Sequence, residues 1–268
     1  MQILPSNFEL ISLVIPLYNE GPNVQLLLPT IDIALNGFNY EIIMVNDGSM
    51  DDTQFQLEQL KHSSLIIIEL QKNYGQSSAL AAGINHAKGE YIVTLDGDLQ
   101  NDPNDIPMML EQAKIEQWDV VAGIRVHRKD PFLKTISSKI ANYIIRRSTK
   151  LDIKDYGCAL KVFKKNTAKA LNLYGGMHRF INLLAHLNGA RIIQVPVHHK
   201  PRQMGVSKYG LGRTFKVIND LIVLLTFQKS KKKPLSIFGQ WILRRHSTRQ
   251  NKIPYSIKNS PQAQSIYS

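Results

Sequence analysis

The chain has little of several features that mark common classes of protein. Cys158 is the only cysteine among 268 residues, so no internal disulfide can form, which is compatible with a reducing compartment. The first nine residues lack a basic region followed by an apolar core, so we expect no signal peptide. The longest strongly apolar stretch late in the chain, 217–227, is interrupted by Asn219 and Asp220 and is too short to span a bilayer. We therefore expect no integral membrane span.

Two glycine-rich phosphate-binding motifs are also missing. The sequence contains neither G-x-G-x-x-G, which marks many dinucleotide-binding folds, nor G-x-x-x-x-G-K-[S/T], which marks phosphate-loop ATPases. Both of these protein classes are therefore disfavoured.

Acidic residues are absent from the C-terminal part of the chain. From Gln228 onward there are nine Lys and Arg residues and no Asp or Glu, which leaves +3 of the total charge of +12 for the rest. A basic segment attached to a nearly neutral body suits an anionic membrane surface at least as well as nucleic acid. The segment has few interleaved aromatic residues, so we expect no nucleic-acid partner.

Apolar runs and helical patterns alternate through the first half of the chain. This alternation is typical of βαβ units and predicts an α/β fold with a mostly parallel sheet. The predicted strands are 11–15, 41–45, 65–70, 91–95 and 119–123. The predicted helices between them are 24–35, 53–61, 77–87 and 106–116. Pro103 and Pro107 fit the first turns of the last of these helices.

The alternation breaks after residue 130. We predict a basic amphipathic helix over 132–147, strands over 157–163 and 192–197, and helices over 180–187 and 211–227. Residues after Gly239 are polar and basic. The predicted division is a catalytic domain over 1–210, an amphipathic membrane-proximal segment over 211–238, and a flexible basic tail over 239–268.

An acidic motif, Asp96-Gly97-Asp98-Leu99-Gln100, follows the apolar run 91–95. Two carboxylates and an amide at alternate positions suit Mg²⁺ or Mn²⁺, which take oxygen ligands and keep positions for water and a diphosphate. A buried strand would deliver the motif to the carboxyl edge of the sheet, where open α/β folds bind ligands.

Two further polar turns follow predicted strands at the same edge. They are residues 16–20 and 46–49. Asp47 can accept a hydrogen bond from the N–H of a nucleobase, whereas Ser49 and Asp51 are also ordinary N-cap residues for the next helix. Three polar turns at one edge favour a nucleotide-diphosphate pocket.

Eight motifs in order resemble glycosyltransferase family 2, with the GT-A fold, in its polyprenyl-phosphate branch. That branch includes dolichol-phosphate mannosyltransferases and undecaprenyl-phosphate sugar transferases, and the undecaprenyl-phosphate 4-deoxy-4-formamido-L-arabinose transferases look most similar. The motifs are P-x-Y-N-E at 16–20, N-D-G-S at 46–49, K-N-Y-G-Q at 72–76, D-G-D-L-Q-N at 96–101, D-Y-G-C at 155–158, H-R-F-I at 178–181, V-P-V-H-H at 195–199 and R-x-x-G-x-S-K-Y at 202–209.

The resemblance implies how the site residues divide between the two substrates. The nucleoside pocket would be lined by Pro16, Tyr18, Glu20, Asp47, Lys72 and Gln76. The donor phosphates would be met by Asp96 and, from a loop, by Arg202, Ser207 and Lys208. The metal would be held by Asp96, Asp98 and Gln100. The acceptor phosphate would be received by Arg125, Lys134 and Ser138. The resemblance also makes Asp98, Arg125 and Asp155 the catalytic residues.

The resemblance implies a single in-line displacement that inverts the anomeric carbon and uses no nucleophilic side chain. Asp155 could orient the acceptor or steady an oxocarbenium-like centre, or it could only cap the turn before Gly157. The chain departs from the family pattern at Asn46, where an aspartate is usual, and at Lys161, where an arginine is common. Many bacterial relatives continue into transmembrane helices after the P-L segment at 234–235.

The implied function is transfer of a sugar from a UDP- or GDP-sugar to a polyprenyl phosphate. We expect peripheral attachment at the cytoplasmic face of the membrane; a membrane-protein partner or a homo-oligomer stays open. A different possibility is a family 2 enzyme acting on a hydroxyl acceptor, which would need a carboxylate base. Two other possibilities are disfavoured: a nucleic-acid-binding protein, by the few aromatic residues in the basic segment, and an inactive relative of the family, by the intact acidic motif.

Overall fold

The computed structural model describes residues 10–125, 153–201 and, for the backbone, 255–259. Apart from Tyr255, these residues belong to one compact unit of the chain. None of the helices within these ranges has the length and apolar character needed to cross a bilayer. The predicted helices over 132–147 and 211–227, and the predicted domain boundaries at 210 and 238, lie outside the described residues.

One sheet of eight strands forms the centre of the described structure. Its spatial order is β7-β5-β6-β4-β1-β2-β3-β8. The strands are β1 Ile11–Leu17, β2 Tyr40–Asn46, β3 Leu65–Leu70, β4 Tyr91–Thr94, β5 Val120–Arg125, β6 Lys161–Lys164, β7 Ile192–Val197 and β8 Tyr255–Asn259. Strands β4, β1, β2 and β3 pair in parallel, as do β5 and β7. Strand β6 lies antiparallel between β4 and β5.

Five of the described helices follow the strands in the order that the sequence predicts, whereas the short helix after β6 was not predicted. The described helices are α1 Gly21–Ala34, α2 Thr53–Gln59, α3 Gln76–His86, α4 Ile106–Ile115, α5 Lys165–Lys169 and α6 Ile181–Leu187, with short 3₁₀ turns at Pro103–Asp105 and Met177–Phe180. Pro103 and Pro107 begin their turns as predicted, since a proline in a first turn sacrifices no intrahelical hydrogen bond.

Burial explains why the strands read as continuous apolar runs. Every residue of β4 is buried, and in β1 only Pro16 is half-buried. A parallel strand with helices on both faces has no solvent side, so it lacks the alternation of an exposed sheet. Helices α1 and α4 pack their apolar residues onto the same core as β1, β2 and β4.

The predicted strand over 157–163 is wrong in its position. The structure has β6 at Lys161–Lys164, with residues 157–160 outside regular structure. The carbonyls of this segment bond to groups other than a regular strand ladder: Ala159 accepts from the Thr94 hydroxyl at 2.7 Å, and Leu160 from the Gly123 N–H at 3.0 Å. Strand β8 at Tyr255–Asn259 lies beside β3 and was not predicted; it falls within the segment 239–268 that was expected to be a flexible tail.

Candidate active site

Three polar turns meet at the carboxyl edge of the sheet, as the sequence predicts. The registers pair Leu17 of β1 with Asn46 of β2, and Val14 of β1 with Thr94 of β4. Strands β1, β2 and β4 therefore deliver the turns at 18–20, 47–49 and 96–100 to one edge. Open parallel sheets bind ligands at this position.

The turns after β1 and β2 are tied to each other by side chains. Asn19, with φ of 52°, donates its N–H to the Ser49 hydroxyl at 2.9 Å and accepts from the Met50 N–H at 2.9 Å. Asp51 accepts from the Thr53 N–H at 3.0 Å, as a residue at a helix start does. Ser49 does not cap α2; its hydroxyl serves the neighbouring turn.

The predicted nucleoside-pocket residues of the first turn lie at this edge. Pro16, Tyr18 and Glu20 are half-buried. Glu20 accepts from the Asn23 side chain at 2.7 Å and donates its own N–H to the Thr53 hydroxyl at 2.9 Å. The carboxylate therefore has a fixed position next to the start of α1.

Asp47 is buried and organises the loop before α3. Its two carboxylate oxygens accept from the N–H groups of Tyr74 at 2.8 Å and Gly75 at 2.9 Å. Burial raises the pKa of Asp47, and the two backbone hydrogen bonds oppose this. Since a carboxylate oxygen has two acceptor positions, a nucleobase N–H can still be accepted. Contact between Asp47 and the nucleobase therefore stays a prediction. The structure shows a second role for Asp47, which is to hold the loop at Tyr74 and Gly75.

Gly48 lets the loop after β3 approach the turn after β2. Its φ is +63°, and a Cβ there would lie 2.4 Å from the carbonyl carbon of Lys72. The exposed Lys72 places its ammonium 5.4 Å from the centre of the Tyr74 ring. The N-D-G-S and K-N-Y-G-Q motifs are therefore in direct contact, which their separation in sequence does not reveal.

The acidic loop is held in a strained conformation. Leu99 has φ of 59°, a region that a branched side chain rarely adopts, and a Cβ at Gly97 would lie 2.1 Å from a methyl group of Leu17. Asp98 is buried and accepts from the Gln100 N–H at 3.2 Å. The half-buried Asp96 accepts from the Gln76 side chain at 2.9 Å.

The electrostatics of Asp96 suit a divalent cation. Burial, followed by the charge of Asp98, raises the pKa of Asp96 to about 7. The carboxylate of Glu20 adds to this, while Lys161 and Arg125 oppose it. With Asp155, which pairs with Arg125, the site contains four carboxylates and two cationic side chains. The carboxylates are those of Glu20, Asp96, Asp98 and Asp155, and the cations are Arg125 and Lys161. A metal ion of charge two would balance this excess.

The donor set fits Mg²⁺ or Mn²⁺ with ligands shared between protein and substrate. The described ranges contain no group of three or more His, Cys, Asp or Glu side chains placed to hold a metal. Two carboxylates, the amide of Gln100, water and diphosphate oxygens would complete an oxygen shell. Mg²⁺ sites built on one or two carboxylates have this composition.

Arg125 and Asp155 form a buried ion pair at the end of β5. The Nε and one terminal nitrogen of Arg125 donate to the two carboxylate oxygens of Asp155 at 2.8 and 2.9 Å. These bonds to the guanidinium hold the pKa of Asp155 at about 2 against the effect of burial. A Cβ at Gly157 would lie 2.7 Å from Arg125, so the glycine leaves room for the guanidinium.

Asp155 also accepts from the Gly157 N–H at 2.9 Å, which is the turn-capping contact considered for it. Its pairing with Arg125 was not predicted, and a role towards the acceptor or an oxocarbenium-like centre stays a prediction. Gln194 of β7 fixes the same segment, because its side chain accepts from the Lys154 N–H at 2.7 Å and donates to the Asp155 carbonyl at 3.3 Å. The ion pair is therefore attached to the sheet at both of its ends.

Lys161 is buried in β6, and the charges of Asp96 and Asp155 both act on it. Its side chain is hydrogen-bonded to the carbonyl of Cys158. Burial lowers the pKa of Lys161, and the charges of Asp155 and Asp96 act in the opposite direction. The departure from arginine noted in the sequence therefore falls at the centre of the site.

The acidic loop also contacts the end of β7. The Lys200 N–H donates to the Gln100 carbonyl at 2.8 Å, and the Lys200 ammonium lies 2.8 Å from Asp102. His198 bonds to Asp105 at 2.8 Å with its side chain largely exposed, so it pairs with a carboxylate and is placed as a surface group. The remaining predicted site residues, Lys134, Ser138, Arg202, Ser207 and Lys208, lie outside the described residues.

Sequence reasoning missed two groups that lie next to this site. Ser77 is fully buried and is hydrogen-bonded to His178, whose motif H-R-F-I carries no assigned role. Gly157 gives space to Arg125, whereas its motif suggests only a turn. Each of these residues lies within a motif that the sequence singles out, but their partners are 101 and 32 positions away, and motif spacing does not reveal such pairs.

Residues 12–171 match the family model described as Glycosyl transferase family 2. The chain belongs to glycosyltransferase family 2. This membership confirms that it is a glycosyltransferase and agrees with the acidic motif and the sheet edge described above. The GT-A fold predicted from the sequence is confirmed as well, by the family match together with the solved structure of similar architecture described below.

Two relatives cover most of this glycosyltransferase. Dodecaprenyl-phosphate galacturonate synthase of Rhizobium johnstonii is 41% identical over 237 residues, which are 85% of this chain and 70% of the relative. Undecaprenyl-phosphate 4-deoxy-4-formamido-L-arabinose transferase of Edwardsiella ictaluri is 38% identical over 236 residues, 86% of this chain and 72% of the relative. Both relatives belong to the polyprenyl-phosphate branch that the motifs resemble.

A solved structure shares the fold at low identity. Glucosyl-3-phosphoglycerate synthase from Mycobacterium tuberculosis, with Mn²⁺, UDP-glucose and phosphoglyceric acid, has a TM-score of 0.67 and 16% identity. The similarity covers 83% of this glycosyltransferase and 81% of that chain. The same enzyme with Mg²⁺ and UDP has a TM-score of 0.65, 16% identity, and coverage of 84% and 80%.

Proposed function

We propose that this glycosyltransferase moves a sugar from a nucleotide-diphosphate sugar to a polyprenyl phosphate. The observation that carries the proposal is the placement of Arg125, held by Asp155, beside the acidic loop. A donor needs carboxylates that hold a cation against its diphosphate, and an anionic acceptor needs a fixed guanidinium. The names of the two relatives, at 41% and 38% identity, support the same acceptor class.

On the donor side, the nucleoside lies in the pocket formed by the turns after β1 and β2 and the loop before α3. Asp47 and Glu20 supply hydrogen-bond acceptors, and Lys72 supplies a positive charge at the rim. Asp96, Asp98 and Gln100 would hold the Mg²⁺ or Mn²⁺ against the donor diphosphate, and Arg202, Ser207 and Lys208 would supply further contacts to its phosphates. When bound, the metal neutralises the charge that develops on the departing nucleoside diphosphate.

On the acceptor side, Arg125 receives the lipid phosphate together with Lys134 and Ser138. A phosphate monoester has its second pKa near 6, so it is largely dianionic at neutral pH and needs no strong base. Asp155, with its pKa at about 2, is a poor base. It orients Arg125 instead, which argues against a hydroxyl acceptor activated by Asp155.

The transfer is then a single displacement. A phosphate oxygen of the acceptor forms a bond to the anomeric carbon while the bond from that carbon to the diphosphate oxygen breaks. The electron pair of the broken bond leaves with the nucleoside diphosphate, and the configuration at the anomeric carbon inverts. We also propose that the enzyme works at the cytoplasmic face of the membrane as a peripheral protein, since its acceptor is a membrane lipid.

The experiment combines the purified protein, Mn²⁺, a short-chain polyprenyl phosphate and a panel of UDP- and GDP-sugars, with product identified by mass spectrometry. We expect a polyprenyl-phosphate sugar with one nucleotide sugar. The matched acceptor is the same polyprenol without its phosphate, which should give no product because Arg125 then has no anion to hold.

The Asp98→Asn variant keeps the shape of the acidic loop and removes one charge. We expect it to fold, with its donor binding no longer enhanced by Mn²⁺, as calorimetry with and without the metal would measure. Full activity of this variant with normal metal dependence would contradict the role of Asp98. In the acceptor experiment above, transfer by the wild type to polyprenol at the same rate as to polyprenyl phosphate would contradict the acceptor class.

A further inference from the structure

The first turn of helix α3 is fixed by a contact that joins distant parts of the chain. Ser77 is fully buried and accepts from the backbone N–H of His178 at 2.9 Å. The same hydroxyl lies 2.9 Å from Nδ1 of the His178 ring. A hydroxyl has one hydrogen and two lone pairs, so it can satisfy the ring nitrogen as donor or as acceptor. The contact therefore forms with either protonation state of His178.

The start of α3 needs such a contact because it has no side-chain cap. The residue before the helix is Gly75, with φ of 91°, which has no side chain to accept from the first N–H groups as a cap would. The N–H of Gly75 is bonded to Asp47 instead. Asp47 from one side and His178 from the other therefore set where the first helical turn lies.

Gln76 transmits this position to the acidic loop. It is the first residue of α3 and is adjacent to Ser77, and its side-chain nitrogen donates to Asp96 at 2.9 Å. A glutamine side chain has considerable rotamer freedom, so its hydrogen bond has a defined direction only if its backbone is fixed. The series from His178 through Ser77 and Gln76 ends on a carboxylate of the proposed metal site.

We propose that His178 and Ser77 are positioning residues that orient Asp96 for the divalent cation through Gln76. The inference rests on the proposed metal-dependent function and assigns a role to the H-R-F-I motif. Residues that hydrogen-bond to metal ligands commonly change metal affinity by about 10- to 100-fold when they are removed. His178 lies one step further away, so we expect a smaller effect for it than for Gln76.

The test measures Mn²⁺ binding by electron paramagnetic resonance on the full chain, without substrates. We expect Gln76→Ala to weaken Mn²⁺ binding by about 10-fold and His178→Ala by about 3-fold or more. His178→Asn places an amide near the position of Nδ1 and should restore most of the affinity. His186→Ala is the matched control, because this half-buried histidine lies at the end of α6. It should bind Mn²⁺ like the wild type.

The double variant Gln76→Ala/His178→Ala decides whether the residues act in series. If His178 acts through Gln76, the double variant should bind Mn²⁺ no more weakly than Gln76→Ala alone. Independent, multiplying effects would overturn the inference, as would an unchanged Mn²⁺ affinity in His178→Ala. Absence of Mn²⁺ binding by the wild type would overturn the proposed metal site as well, which distinguishes the two failures.

Discussion

Arg125 and Asp155 illustrate how single residues define the chemistry of this site. The guanidinium and the carboxylate make two parallel hydrogen bonds, with side chains that are about one-tenth exposed. Such a pair fixes the plane of the guanidinium and so the direction of its donors. Asp155 therefore contributes to transfer by geometry, and Arg125 by charge.

Replacing Asp155 with asparagine tests this pair through acid stability. The folded pKa of Asp155, about 2, lies below the unfolded value near 3.9, so the folded state favours the ionised form. The resulting stabilisation, about 2 kcal/mol, is fully present above pH 4 and is lost as the pH falls from about 4 to 2. We expect Asp155→Asn to be less stable at pH 7 and to lose less stability over that interval.

Urea unfolding at pH 7 and at pH 3 would measure both values, and Asp119→Asn is a suitable control. Asp119 is paired with Lys164 at 3.5 Å, an ion pair that is partly exposed and should contribute little. Identical pH profiles for Asp155→Asn and the wild type would contradict the depressed pKa. The acceptor KM of Asp155→Asn should rise more than its donor KM, since only Arg125 loses its orientation.

Asp47→Ala is expected to weaken nucleotide binding for two reasons. It removes an acceptor for the nucleobase, and it leaves the N–H groups of Tyr74 and Gly75 without their buried partner. The loss of the first contact is about 1–3 kcal/mol, with Mn²⁺ binding retained. Calorimetry with UDP and GDP would measure it, and Asp32→Ala, at the opposite edge of the sheet beside Tyr40, is the control. Unchanged affinity would assign Asp47 to loop structure alone.

At the scale of elements, apolar runs in the sequence predicted six of the eight strands, β1 to β5 and β7, but misplaced β6 and missed β8. Strands β1, β2 and β4 follow such runs because both of their faces are buried, whereas β7, at the edge of the sheet, is apolar in sequence although three of its residues are half-buried and Pro196 is exposed. The segment 157–160 has the same composition, but its peptide groups bond to Thr94, Gly123 and Lys161. Contacts of this kind depend on residues far away in sequence, so local periodicity does not report them.

For the site, the sequence predicted which residues share an edge of the sheet but not how their side chains are oriented. Turns at the ends of parallel strands must share an edge, so the sequence could bring Asp47 and Asp96 together. It could not supply the contacts that orient these side chains. Gln76 was assigned to the nucleoside pocket, yet in the structure its amide bonds to Asp96. Side-chain orientation follows from tertiary packing, which motif spacing does not encode.

Gly48 provides a test at the level of the contact between two loops. Gly48→Ala would put a methyl group 2.4 Å from the backbone of Lys72, and backbone atoms cannot move aside as a flexible side chain can. Gly175→Ala is the matched control, since its φ of +52° is similar and it has no atom within 4 Å of the added Cβ. Both variants lose about 1 kcal/mol for the left-handed backbone.

Only Gly48→Ala should lose more than about 1 kcal/mol of folding stability. It should also bind nucleotide more weakly, because Lys72 and Tyr74 are displaced. Thermal unfolding and UDP binding would be compared for the two glycine variants. Equal losses of stability, with nucleotide affinity unchanged in both, would show that the close approach of the two loops has no role in the pocket.

At the scale of the whole molecule, the charge is distributed unevenly. The chain from Gln228 onward carries nine of the positive charges and no acidic residue, whereas the described site has an excess of carboxylates. A polyprenyl phosphate is confined to a membrane, so an enzyme that uses it benefits from a basic surface that stays near anionic headgroups. The basic segment would then keep the enzyme at the membrane surface, and the site would bind the two substrates.

The lysines at 231–233 test that division. Each lysine near an anionic surface contributes about 1 kcal/mol, so the triple replacement Lys231→Gln, Lys232→Gln and Lys233→Gln should weaken attachment by roughly 3 kcal/mol. The wild type should co-sediment with vesicles containing anionic lipid and be released by high salt, because the attraction is screened. Turnover on a short-chain, water-soluble polyprenyl phosphate should change little, since the catalytic groups lie at the edge of the sheet. Vesicle binding that is unaffected by the triple replacement would show that these lysines are only a solvated charge run.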